Sequence, residues 1–158
     1  MIFFLDASAL VKLYRDEAGS RAMRSLFESP EHKDAFFISD VVALEVLVRL
    51  AKLGRAGGRE GRRDQRRLMA AYARHRTRFL NVVGTEPGVL ESAESLAIEY
   101  DDSGAGTLDL LHAAFARQLQ RTVAEEPLVF VVADRKLRSL VERIGFRTLD
   151  PEAPDPRS

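Results

Sequence analysis

The sequence contains no cysteine and no tryptophan, and its formal net charge at pH 7 is zero. The lack of cysteine excludes a disulfide framework and any metal site built on thiolates. The apolar run at the N-terminus, Ile2 to Leu5, has only four residues, whereas a membrane span needs about 18. We therefore expect no membrane segment. Because no positively charged stretch precedes this run, as it would in a secretory signal, we expect a cytoplasmic protein.

The chain is long enough for one hydrophobic core and short for two domains of ordinary size. Its 158 residues include 46% hydrophobic residues, which is typical of a globular protein. We predict a single domain over residues 1–150. The last eight residues, 151–158, contain three prolines and no large apolar side chain, so we predict a flexible tail there.

The zero net charge hides a strong asymmetry. Residues 49–78 contain eleven Lys or Arg and two acids, so this segment carries about +9 and the remainder about −9. A basic segment beside an acidic remainder indicates a bound polyanion, although a solvated helix face is the alternative interpretation. Arginine suits phosphate recognition because its planar guanidinium donates two hydrogen bonds at once. The candidate phosphate-binding residues are Arg55, Arg59, Arg62, Arg63, Arg66 and Arg67.

Apolar runs that read as strands alternate with helical patterns along the chain. The predicted strands are Ile2 to Leu5, Ala35 to Ile38, Leu80 to Val83, Leu128 to Val132 and Phe146 to Leu149. The predicted helices are Ala9 to Arg15, Ser20 to Glu28, Asp40 to Leu53, Arg62 to Arg78, Pro87 to Tyr100, Leu108 to Arg121 and Arg135 to Ile144. Such alternation predicts an α/β fold, a three-layer α/β/α sandwich with a central, mainly parallel sheet. The glycine-rich segment 54–61 predicts a flexible turn within a basic helical hairpin at about residues 40–78.

Two acids follow predicted strands directly. Asp6 ends the run IFFL, and Asp134 follows LVFVVA. In a parallel sheet, ligands bind beyond the carboxyl ends of the strands, where both acids would lie. The alternative for each is an ordinary helix N-cap. For Asp6 we expect Ser8 to supply that cap instead.

Two further acids lie on predicted helices. Glu45 is flanked by apolar turns, where a carboxylate is unfavourable unless it is paired or bound to a metal. The alternative is an ion pair with Arg49, four residues on. Asp109 lies in the first turn of a helix that Thr107 could cap, where the helix dipole alone favours an acid. His112, three residues after Asp109, is expected to be a packed or hydrogen-bonded core residue.

If the four acids converge, their charges need compensation. Each carboxylate pair at about 4 Å would repel by roughly 4 kcal/mol at an effective dielectric constant of 20. Raised pKa values, basic partners or a divalent cation would relieve this repulsion. Ligands that are all oxygen select Mg²⁺ or Mn²⁺, whereas a zinc site usually contains His or Cys.

In order and spacing, these motifs resemble those of PIN-domain ribonucleases, and among them the VapC-like toxins of toxin-antitoxin pairs. The motifs are DASAL with Asp6, SDVVALEVLVRL with Glu45, TLDLLHAAFA with Asp109, and VFVVADRKL with Asp134. The resemblance implies that these four acids form the catalytic site and hold Mg²⁺ or Mn²⁺, supported by Ser8 and Thr107. The family often has Ser or Thr just before the fourth acid, where this chain has Val132 and Ala133.

The resemblance implies a metal-dependent endoribonuclease that hydrolyses RNA phosphodiester bonds, with tRNA, rRNA or mRNA as substrate. It further implies a cognate antitoxin and a homodimer. The main alternative is a catalytically silent RNA-binding or partner-binding module. A receiver-type phosphoacceptor would need paired acids after the first strand, but Ala7 follows Asp6, and a haloacid-dehalogenase-type phosphatase would need an acid where Ser8 stands.

Overall fold

The computed structural model describes residues 1–56 and 58–153, without the side chains of residues 54–56. Within these residues, five β-strands alternate with seven α-helices. The strands are β1 (Ile2–Leu5), β2 (Phe36–Ser39), β3 (Leu80–Val83), β4 (Leu128–Val131) and β5 (Arg147–Leu149). The helices are α1 (Ala7–Leu10), α2 (Ser20–Glu28), α3 (Asp40–Ala56), α4 (Gly58–Arg78), α5 (Val89–Glu99), α6 (Thr107–Thr122) and α7 (Arg135–Ile144). Short 3₁₀ turns lie at Val11–Leu13, Pro30–His32 and Asp101–Ser103.

The five strands form one sheet in the order β3-β2-β1-β4-β5, and all the pairings are parallel. The first half of the chain adds strands on one side of β1, and the second half adds them on the other. The strand order therefore reverses between β1 and β4, which opens a crevice at the carboxyl ends of these two strands. Asp6 and Asp134 come just after β1 and β4. The predicted three-layer α/β/α fold is confirmed.

Each face of the sheet carries its own hydrophobic core. Phe3 and Leu5 pack with α1 to α4, whereas Ile2 and Phe4 pack with α5 to α7, because alternate side chains of a strand point to opposite faces. Every residue of β1 and β4 is buried, which explains why these strands are apolar throughout rather than alternating. The acids that follow β1 and β4 are thus attached to the most buried part of the fold.

Helices α3 and α4 form the predicted basic hairpin. The hydroxyl of Tyr72 donates a hydrogen bond to the carbonyl of Ala43 (3.2 Å), and the amide of Gln65 donates one to the carbonyl of Ala51 (3.0 Å). The two helices separate within the predicted segment 54–61, but the turn is shorter than predicted, because α3 continues to Ala56 and α4 begins at Gly58. Packing between the two helices offsets the cost of glycine in a helix, about 1 kcal/mol per residue. Of the predicted turn, Gly57 lies outside the described residues.

The described part of the C-terminal segment contacts the N-terminal third of the chain. Pro151 is buried, and its carbonyl oxygen lies so close to Gly19 that a Cβ added there would be 2.8 Å away. The ammonium of Lys12, itself buried, pairs with the Glu152 carboxylate at 2.5 Å. Residues 154–158 of the predicted tail lie outside the described residues. Among the described helices, none has the length and apolar character needed to cross a membrane.

Candidate metal centre

Asp6 is held rigidly at the end of β1. Its backbone N–H donates to the carbonyl of Val131 in β4 (3.0 Å), and its side-chain Oδ2 accepts from the N–H of Ser8 (2.8 Å). Asp6 therefore caps α1 itself, and the expectation that Ser8 supplies this cap was wrong. The residue is only 4% exposed. The cap uses Oδ2, so Oδ1 of Asp6 takes no part in it.

The hydroxyl of Ser8 instead joins the ends of β1 and β4. Its Oγ accepts from the backbone N–H groups of Ala133 (3.0 Å) and Asp134 (3.3 Å). The sequence lacks a Ser or Thr just before the fourth acid. Ser8, in the first motif, therefore supplies the hydrogen bonds to that segment instead. These two hydrogen bonds fix the backbone in front of Asp134.

Glu45 reaches the same crevice from α3. Its Oε2 lies 2.7 Å from Nε2 of His112 on α6, and the Glu45 side chain is 21% exposed while that of His112 is 3% exposed. The alternative interpretation, an ion pair between Glu45 and Arg49, is not the arrangement found, since the carboxylate contacts His112. The expectation that His112 is a buried, hydrogen-bonded residue is confirmed, but its partner is one of the candidate acids.

Asp6, Glu45 and His112 form one compact cluster. Oδ1 of Asp6 is 3.6 Å from Nε2 of His112, and the three ligand-type atoms all lie within 4.8 Å of one another. Two carboxylates at that separation repel by about 3.5 kcal/mol at an effective dielectric constant of 20. The imidazole between them supplies part of the compensation that the sequence argument requires.

The pKa values of the Glu45 and His112 pair shift in opposite directions. Burial by itself raises the pKa of Glu45, but the hydrogen bond from His112 and the charges of His112 and Arg49 outweigh it and lower the pKa. Burial lowers the pKa of His112, whereas the hydrogen bond to Glu45 and the charges of Asp6, Glu45 and Asp109 raise it overall. Glu45 is therefore ionised and can only accept a hydrogen bond. It follows that Nε2 of His112 carries the proton and donates it.

Asp109 lies one helical turn before His112 on α6. Its Oδ2 accepts a hydrogen bond from the backbone N–H of Gly106 (2.8 Å), the residue at the N-cap position. Thr107 is the exposed first residue of the helix and does not cap it, contrary to expectation. Asp109 thus has a local role at the start of the helix, as the alternative interpretation held. Its charge also acts on His112, which places it beside the cluster, although its ligand atoms lie outside the group of three.

Asp134 is an N-cap in this structure, as the alternative interpretation held. Its Oδ1 accepts from the N–H groups of Lys136 (2.8 Å) and Leu137 (3.0 Å) at the start of α7, and the residue is exposed. It is not among the three clustered residues. Capping occupies one oxygen and leaves Oδ2 for other contacts.

The donor set of the cluster fits a hard divalent cation. Asp6 and Glu45 each contribute a carboxylate oxygen, and Mg²⁺ and Mn²⁺ prefer such oxygen ligands. Nε2 of His112 does not belong to this set while it donates to Glu45, because a nitrogen that carries a proton has no lone pair for a metal. The chemistry of the site therefore agrees with the prediction of oxygen ligands.

The predicted phosphate-binding arginines lie on the outer part of the α3–α4 hairpin. Four of them surround an open depression of about 830 Å³ together with Gln65: Arg59, Arg62, Arg63 and Arg66. Arg67 is exposed and makes a loose contact of 3.9 Å with Asp64, and the side chain of Arg55 lies outside the described residues. Since Gln65 is level with Ala51, the arginine-rich part of α4 begins about 9 Å along the α3 axis from Glu45.

The contribution of His112 to the cluster was not recognised in the sequence. The available signal was the spacing of Asp109 and His112, which puts them three residues apart on one face of a helix. That spacing does not identify a partner, since Glu45 is 67 residues away in the chain. The two side chains meet only because α3 and α6, on opposite faces of the sheet, both reach the crevice at its carboxyl edge.

Comparison with known proteins agrees with this architecture. Solved structures similar to the chain include FitAcB from Neisseria gonorrhoeae (16% identity, TM-score 0.67), covering 95% of this chain and 98% of that one. VapC20 from Mycobacterium tuberculosis, a Sarcin-Ricin loop cleaving toxin, has 18% identity and a TM-score of 0.65 over 97% and 99% of the two chains. VapBC2 from Rickettsia felis, bound to a promoter DNA fragment, has 19% identity and a TM-score of 0.59 over 95% and 98%.

Among curated proteins, no sequence matches the chain significantly. The family model for the PIN domain matches residues 3–141, which is most of the chain and includes all four predicted acids. The VapC-like resemblance noted in the sequence is consistent with the structural neighbours. The chain therefore belongs to the PIN domain family.

Proposed function

We propose that this protein is an endoribonuclease that depends on Mg²⁺ or Mn²⁺, and that it is the toxin of a toxin-antitoxin pair. The observation that carries the proposal is the approach of two acids, Asp6 and Glu45, at the strand-order reversal of a PIN domain. Nothing in ordinary packing calls for two carboxylates within 4.8 Å of each other when their side chains are only 5% and 21% exposed.

In this proposal, the four acids Asp6, Glu45, Asp109 and Asp134 hold the cation. A bound divalent cation supplies a water of lowered pKa and positive charge beside the phosphoryl oxygens. Asp6 presents Oδ1 from a buried and doubly anchored position, so its direction is fixed before substrate arrives. Glu45 also orients the attacking water. Attack by water rather than by the ribose 2′-hydroxyl leaves a 5′-phosphate and a 3′-hydroxyl.

The arginines of α4 bind the RNA backbone in this proposal. The depression between Arg59 and Arg66 is open and strongly cationic, and bidentate guanidinium groups match phosphate geometry. It begins about 9 Å along the α3 axis from Glu45, so a strand held there can continue toward the acids. The RNA substrate is a tRNA, an rRNA or an mRNA.

The test is cleavage of end-labelled tRNA and rRNA fragments by the purified full chain with Mg²⁺, Mn²⁺ or EDTA. Wild type should cut at defined positions only with metal, and Asp6→Asn and Glu45→Gln should each lose this activity. Glu94→Gln, an exposed glutamate on α5, is the matched control and should cut like wild type. A product with a 2′,3′-cyclic phosphate, or cleavage that persists in EDTA, would contradict the proposal. RNA binding without any cutting would favour a silent RNA-binding module.

We also propose that the chain is cytoplasmic and that it has two partners. One is a cognate antitoxin, and the other is a second copy of this chain in a homodimer. The structural neighbours include FitAB bound to a DNA fragment and VapBC2 bound to promoter DNA, which supports an antitoxin. Exposed apolar side chains at Leu44 and Val48 on α3, 63% and 44% exposed, provide contact surface for such partners. Co-expression with the adjacent gene product, followed by light scattering of the purified complex, tests both assignments.

A further inference from the structure

We propose that His112 is a positioning residue, which fixes the Glu45 carboxylate opposite Asp6 by donating a hydrogen bond and does not itself bind the cation. This inference rests on the metal dependence proposed above. It gives a role to a residue that the four-acid pattern leaves out.

The geometry of the imidazole supports a donor rather than a ligand. Nε2 lies 2.7 Å from Oε2 of Glu45, a normal charge-assisted hydrogen bond, and 3.6 Å from Oδ1 of Asp6, beyond hydrogen-bond distance. The nearer carboxylate thus takes the proton. Nδ1 is buried and has no hydrogen-bond partner among the described residues, so the single hydrogen bond of the ring within them is with Glu45.

The imidazole has little freedom to move. His112 is 2% exposed and is followed on α6 by four residues that are all buried, Ala113 to Ala116. Glu45, by contrast, is on a side chain with three rotatable bonds that is 21% exposed. Without a donor, repulsion from Asp6 would turn this flexible carboxylate toward solvent. The rigid imidazole of His112 therefore holds the flexible carboxylate of Glu45 in the crevice.

The same helix connects two of the proposed ligands. Asp109 is in the first turn of α6 and His112 is one turn later. The position of α6 therefore sets the position of Asp109 directly. It also sets the position of Glu45 on α3 indirectly, through His112. Residues that orient a metal ligand in this way usually affect metal affinity about 10- to 100-fold when they are replaced.

The experiment measures Mn²⁺ affinity of the purified full chain by electron paramagnetic resonance of the free ion, without RNA. His112→Leu keeps the bulk of the side chain and removes the donor, and we expect its Kd to rise about 10- to 100-fold. His112→Gln places an amide N–H near the position of Nε2 and should stay within about threefold of wild type. His112→Asn has a shorter side chain that does not reach Glu45, and it should weaken binding as the leucine variant does. Phe115→Leu, a buried control on the same helix, should lower the melting temperature without changing Kd.

The outcomes separate this inference from the proposed function. If wild type binds Mn²⁺ and His112→Leu binds equally well or more tightly, His112 does not position Glu45. If His112→Gln folds but binds as weakly as His112→Asn, the imidazole itself is a ligand and the inference is overturned. If the leucine variant does not fold, the comparison of glutamine with asparagine still decides. If wild type binds no Mn²⁺, the metal dependence fails first, and the inference with it.

Discussion

Removal of the proposed divalent cation is expected to destabilise the folded protein, because the two acids that the fold holds together then repel each other without it. Asp6 and Glu45 place carboxylate oxygens within 4.8 Å of each other, and their repulsion is about 3.5 kcal/mol at an effective dielectric constant of 20. Their side chains are 5% and 21% exposed, so solvent screens this repulsion only weakly. His112 offsets part of it, which leaves about 1 to 3 kcal/mol for the cation to relieve.

The assay is thermal unfolding followed by circular dichroism in Mn²⁺ and in EDTA. A chain of 158 residues has an unfolding entropy of about 0.33 kcal/mol/K, so 1 to 3 kcal/mol corresponds to a rise in Tm of roughly 3 to 9 °C with Mn²⁺. Asp6→Asn keeps an oxygen to accept the N–H of Ser8 but removes the charge. This variant should melt above wild type in EDTA and should no longer respond to Mn²⁺.

The control is Asp16→Asn, which neutralises an acid whose side chain is 91% exposed and should leave the Mn²⁺ response unchanged. Equal melting temperatures of wild type in Mn²⁺ and EDTA, with binding of the ion verified, would refute the reasoning. The same conclusion would follow if Asp6→Asn melted below wild type in EDTA, because the charge at Asp6 would then stabilise the apo protein.

Three further predictions concern stability and RNA binding. Lys12→Met removes the ion pair between a buried cation and Glu152 and should lower the free energy of unfolding by about 1 to 3 kcal/mol in urea titrations. The loss stays in this range because Glu152 is half-exposed and can rehydrate; an unchanged midpoint would contradict this. Gly19→Ala should cost roughly 2 kcal/mol or more, since φ is +81° and the new Cβ would meet the carbonyl of Pro151; wild-type stability would argue against this contact. The third prediction uses the cleavage-deficient Glu45→Gln background, in which the arginines of the depression are replaced by glutamine. RNA binding should weaken, and the slope of log K against log salt concentration should fall in magnitude by about 0.7 per lost phosphate contact. Arg78→Gln should have less effect. The four substituted residues are Arg59, Arg62, Arg63 and Arg66.

The layered architecture was predictable because the apolar pattern of the central strands is unambiguous. β1 and β3 have the predicted bounds, and α2 and α7 have them too. The turn in the glycine-rich segment is shorter than predicted because the local preference for a turn is weaker than the packing of α3 on α4. Likewise, the caps at Ser8 and Thr107 were assigned from residue preference alone, whereas the structure uses Asp6 and Gly106, whose backbones have the extended conformation that an N-cap requires.

The sequence by itself determined which acids follow strands and which lie on amphipathic helices, because strand and helix periods are local properties of a chain. Tertiary structure alone decided how those acids meet. It set Asp6 beside Glu45, gave Asp109 and Asp134 capping contacts, and placed His112 as the donor to Glu45. These relations depend on how α3 and α6 flank the sheet, and residues 67 positions apart carry no local signal of their distance in space.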